Sequence, residues 1–162
     1  MNPEEPVRDV MRRTMFNLRL IDDQATKNGP YEVTQLVNSF LGALAHPWEL
    51  FKKELESITL SDAINQGWPE IVKERTTDCN PKNLGDLLRF MRNGIAHGNL
   101  VFLPDADNEI HAIQLWNFDR KINRRTWGTI LTIDVMRQLL DRFVELAEQL
   151  HQRQRNPGEQ IA

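Results

Sequence analysis

Arg92, Asn93 and His97 fall within one six-residue string, Arg92-Asn93-Gly94-Ile95-Ala96-His97. The string supplies a permanent cation, a carboxamide and an imidazole whose ordinary pKa is about 6.5. Those groups are the minimum equipment for cleaving a phosphodiester without a metal. An imidazole moves the proton, a guanidinium holds the phosphate and its growing charge, and an amide orients one of the reacting groups. The same residues also fit a plain helix end, where polar side chains meet the last carbonyls and Gly98 caps.

A helix must position these groups. Asn80-Pro81 reads as an N-cap followed by proline at the first helical position. Leu84, Leu87, Leu88, Met91 and Ile95 then give a core stripe that ends at His97-Gly98. At about 100° per residue, Asn93 and His97 lie roughly 40° apart on one face, whereas Arg92 and His97 are roughly 140° apart. A second face carries Gly85, Arg89, Asn93 and Ala96. Small residues interleaved with polar ones let another helix approach closely, so these four are the expected dimer contacts.

The string resembles the Arg-polar-x-x-x-His signature of the HEPN superfamily. That resemblance implies a mainly α-helical bundle. It also implies a metal-independent endoribonuclease of the kind found in toxin–antitoxin and phage-defence systems. Two protomers of such proteins pair so that both motifs line one cleft. On that pattern Arg92, Asn93 and His97 would be catalytic, RNA the substrate and the protein a homodimer. Cleavage through the ribose 2′-OH would leave a 2′,3′-cyclic phosphate, and an antitoxin or defence-system partner would be expected. The alternative is a non-catalytic HEPN-like module that binds RNA, a nucleotide or a protein.

The rest of the chain is read as scaffold. All 162 residues are expected to form a single domain. Val7, Val10, Met11, Thr14, Leu18 and Ile21 predict a first helix over 4–26, ended by Asn28-Gly29-Pro30. Val33, Leu36, Val37, Phe40, Leu41 and Leu44 predict a second, which Pro47 breaks. A short third follows on Trp48, Phe51, Leu55 and Ile58. A helical turn is expected from Pro69. From Asn99 the pattern turns to alternating and β-branched residues, so a small antiparallel sheet is expected over 99–133, inserted before the last helix. Its strands are Asn99 to Leu103, Ile110 to Phe118 and Thr126 to Ile133, with turns at Pro104 to Asn108 and Asp119 to Arg125. Met136, Leu139, Leu140, Phe143, Ala147 and Leu150 predict the last helix over 134–152, and 152–162 reads as a polar tail.

The second candidate is Arg120, Lys121, Arg124 and Arg125 on the expected hairpin loop, flanked by Trp116, Phe118 and Trp127. Mobile cations suit phosphate contacts, and aromatic rings suit base stacking. A merely solvated loop is the competing reading. The net charge of −3 provides no general attraction for RNA, so local patches must supply it. His46, His111, His151 and Cys79 show no metal-ligand spacing, and no phosphate-cradling glycine loop is present, so neither metal nor cofactor is expected. A single cysteine and the lack of a long apolar run fit a cytoplasmic protein with no membrane contact.

Overall fold

Residues 4–24, 32–107 and 109–155 are described in the computed structural model. In chain order the elements are α1 (Glu4–Asp23), α2 (Glu32–Ser57), α3 (Leu60–Asn65), α4 (Leu84–Ala96), β1 (Leu100–Pro104), β2 (Ile110–Asp119), β3 (Arg124–Thr132) and α5 (Ile133–Arg155). The fold is mainly helical, with a small antiparallel sheet in the order β1-β2-β3 before the last helix. The expected end at Asn28-Gly29-Pro30 and most of the expected tail lie outside the described residues, as do Asn108 and the side chains of Val7, Leu44 and His46.

Helix α4 is the centre of the arrangement. It packs on α2 along one side and on β2 along the other, while α5 covers α2 and the sheet. Leu84, Leu87, Leu88, Met91 and Ile95 are all buried, as are Met136, Leu139, Leu140, Phe143, Ala147 and Leu150 of α5. Phe40, Phe51, Leu115 and Trp127 complete the same core. Phe90 meets Trp127 with ring centroids 5.7 Å apart, joining helix to sheet.

Several local expectations need correction. Val10 stands 58 % exposed while Met11 and Leu18 carry the contact face of α1. That helix is tied to α5 by ion pairs of Arg8 with Glu148 and of Asp22 with Arg137. Pro47 does not divide the second helix. The backbone leaves helical geometry four residues later, at Phe51, because buried Phe51 and Leu55 hold the next turn against the core. No helical turn forms from Pro69. Residues 66–83 form a turn and an irregular strap instead. The strap lies along β3: the N–H groups of Glu74 and Cys79 donate to the carbonyls of Gly128 and Thr126, each at 2.8 Å, and the Thr129 hydroxyl donates to Val72 O at 2.7 Å. One sheet edge is thereby covered. The cap of α4 is Asn83 rather than Asn80. Its side chain accepts from the Asp86 N–H at 2.9 Å.

Candidate functional site

The carboxyl end of α4 is fixed from three directions. Gly98 adopts φ +67, the left-handed conformation that suits glycine. Its N–H donates to Ile95 O at 3.0 Å, and the Asn99 N–H reaches back to Gly94 O at 2.8 Å. These two bonds make a Schellman cap, with His97 as the cap residue. The Asn99 carbonyl then accepts from the Trp116 N–H at 3.0 Å, fastening the turn to β2. Gly94 faces the sheet so closely that a Cβ there would lie 3.0 Å from Trp116 O.

The motif residues take different surroundings on this frame. His97 and Ala96 are exposed. Arg92 is half-buried on the α2 side, with its guanidinium carbon 5.0 Å from the centre of the Trp48 ring. Lys52 lies 5.3 Å from the same ring, and the Trp48 indole N–H donates to Gly85 O at 3.2 Å. Asn93 turns to the sheet instead. Its Nδ2 donates to Asn117 Oδ1 at 3.3 Å, and Asn117 Nδ2 donates to Thr126 Oγ1 at 2.7 Å. The separation of Arg92 from Asn93 and His97 around the helix is thus kept within the protomer.

The expected dimer contacts divide in the same way. Gly85 is buried, and a Cβ there would lie 2.8 Å from Glu56 Cγ. Its lack of a side chain serves the approach of α2 in the same chain, so it cannot also sit on an open face. Arg89 pairs with Asp86 at 2.6 Å and stacks on Phe90, leaving it half-buried. Asn93 is also half-buried, so Ala96 is the exposed one of the four.

The basic hairpin also divides. Arg120, Lys121 and Arg124 are exposed at the tip. Arg125 is not: it donates to Asp78 at 2.8 Å and to Glu74 at 2.9 Å, with its side chain 13 % exposed. Burial opposes its charge, but the two carboxylates hold its pKa above the ordinary value. Arg125 therefore clasps the strap over 66–83 to β3. It is removed from the set of cations open to RNA. Trp127 belongs to the core, whereas Phe118 is exposed and Trp116 half-buried.

Two described cavities lie away from the motif. An apolar one of about 300 Å³ is lined by Ala63, Trp68, Leu84, Leu87 and Trp127, with Lys73 and Asn80 among its polar groups. A more polar one of about 480 Å³ lies between the end of α2 and α5. Neither includes Arg92, Asn93 or His97. Among the described residues no group of three or more His, Cys, Asp or Glu side chains is placed to hold a metal. Burial and the neighbouring Asp78 push the Cys79 thiol up, which disfavours a thiolate nucleophile. No helix among the described residues is long and apolar enough to cross a membrane.

Asn117 and Thr126 escaped the sequence reading. The available signal was an asparagine continuing the inward row Ile113, Leu115 of β2, where an apolar residue is the rule.

The family described as HEPN pEK499 p136 matches residues 1–154, and the chain belongs to that family. No curated protein and no solved structure matches it.

Proposed function

We propose that this HEPN-family chain is a metal-independent endoribonuclease of the toxin or defence type, working in the cytoplasm as a homodimer. The supporting observation is His97, an exposed imidazole on a capped helix end that is bonded to the sheet by the Asn93 side chain on one side and the Asn99 carbonyl on the other. A proton-transfer group gains most from such fixed placement. His97 would take the ribose 2′-OH proton or give one to the leaving 5′-oxygen. Arg92, half-buried on the far side of α4, would act on a phosphate shared with the second protomer, whose own His97 approaches across the two-fold axis. The products are a 2′,3′-cyclic phosphate and a 5′-hydroxyl, and DNA, without the nucleophile, is inert. A partner that covers His97 would act as an antitoxin.

One observation favours the second reading, a non-catalytic RNA-binding module: the Arg92 guanidinium stacks on Trp48 of its own chain. Purified protein incubated with RNA in EDTA separates the two. Cleavage that survives chelation and falls by about 10²–10⁴ in His97→Ala supports the nuclease. Binding without cleavage supports the module.

A further inference from the structure

We infer that Asn117 and Thr126 are positioning residues that fix which end of the Asn93 carboxamide faces the substrate, a role that rests on the nuclease reading of Arg92 and His97. Three observations converge on the pair. Asn117 is only 9 % exposed and continues the row of Ile113 and Leu115, which face the core. A polar pair across such a helix–sheet seam is costly unless satisfied, so an apolar residue would serve packing better. Thr126 is the extra residue of a β-bulge, since Asn117 pairs with Trp127 and Phe118 with Arg125. Bulges re-aim a side chain, and this one brings the threonine hydroxyl to Asn117. The third observation is the direction of the relay.

Thr126 Oγ1 accepts from Asn117 Nδ2, so Asn117 turns its Oδ1 to α4. Asn93 must answer with Nδ2. Its own Oδ1 is thereby directed away from the sheet, one helical turn before His97. An oxygen in that place accepts a hydrogen bond from an imidazole N–H or from a ribose 2′-OH. It has nothing to offer an ionised phosphate oxygen, which is itself an acceptor. Asn93 therefore orients the proton-transfer pair, and the phosphate falls to Arg92. Reversal of the relay would present an amide N–H₂ instead and spoil that division.

The test uses the full-length protein with two variants. Thr126→Val removes the acceptor, and Thr126→Ser restores it. First, the Asn93 side-chain amide is followed by ¹⁵N NMR without RNA. Its resonances should move in Thr126→Val, although Thr126 lies one residue beyond its partner, and return in Thr126→Ser. Unchanged resonances in Thr126→Val would overturn the relay whether or not the protein cleaves RNA. Second, kcat on RNA in EDTA should fall by about 10–100-fold in Thr126→Val with KM little changed, and Thr126→Ser should bring it back toward wild type. Wild-type kcat in Thr126→Val would overturn the positioning role, and a kcat that Thr126→Ser fails to restore would overturn the part assigned to the hydroxyl. A wild-type protein that leaves RNA intact would sink the nuclease reading, and with it the positioning role, while the NMR arm still judges the relay.

Discussion

The Arg125 guanidinium donates to the Asp78 carboxylate at 2.8 Å, joining two residues 47 positions apart. Asp78 is almost wholly buried, so the pair is a clasp and not a surface contact. Arg125→Ala should cost about 3 kcal/mol, because a buried carboxylate loses its partner. Urea denaturation measures this. A change under about 0.5 kcal/mol, the range of ordinary surface substitutions, would mean that the clasp contributes nothing.

The tip of the same hairpin should behave oppositely. Replacing Arg120, Lys121 and Arg124 by Ser should leave stability nearly unchanged, because all three are exposed. RNA affinity should fall, and the slope of log K against log salt should shrink by about 0.7 for each single-strand phosphate that is no longer neutralised. Titration at several salt concentrations reads the slope. An unaltered slope would leave the tip as solvated loop.

Gly94 and Gly42 make a matched pair. Alanine is the better helix former by about 1 kcal/mol at either site. At Gly42 nothing lies within 4 Å of an added Cβ, so Gly42→Ala should stabilise by up to that amount. At Gly94 the Cβ meets the Trp116 backbone carbonyl, and overpacking costs about 1–3 kcal/mol. Gly94→Ala should therefore be neutral to destabilising. Equal gains at both positions would refute the close seating of α4 on β2.

Assembly can be tested at Ala96, the exposed member of the expected dimer face. The wild type should sediment as a dimer at tens of micromolar, roughly the range in which weak dimers persist. Ala96→Arg should give folded monomers and remove RNA cleavage with the shared site. A monomeric wild type would exclude a site built from two subunits.

Asp86 should govern part of the acid response. Burial pulls its pKa upward, but the Arg89 ion pair and the Lys82 N–H outweigh it and hold the carboxyl below 3.8. A depressed carboxylate contributes stability above its unfolded value, and that contribution is lost as pH falls through the folded value. Asp86→Asn should therefore lower stability at neutral pH and flatten the decline below pH 3.8. Thermal melts across the acid range check the sign. An acid limb of wild-type steepness would contradict it.

The sequence made the long amphipathic elements readable. The leucine stripe of α4 and the inward set of α5 appear where periodicity placed them, and β1 and β2 do so to within a residue, whereas β3 begins two residues early and takes Arg124 and Arg125 from the expected loop. Local breakers were less reliable. Pro47 reads as a stop, yet the irregularity is at Phe51, where packing decides. Pro69 reads as a helix start, yet its segment is recruited to an open strand edge by partners more than forty residues away. Charge type could not separate Arg125 from Arg124, because their difference lies in the bulge at Thr126 and in distant carboxylates. The position of the motif on its helix was legible. The sheet contacts of Asn93 were not, since period-two burial gives no warning of which inward residue will be polar.

The strap along β3 limits how this sheet can grow. β1 is the opposite edge, and Val101 and Phe102 there are exposed. A sheet with two bare edges can recruit copies indefinitely and lengthen into a fibre. With β3 already occupied, a further strand can join at β1 alone. If two copies met through that edge, each would fill the other's open edge, and strand-by-strand growth of that sheet would end at the pair.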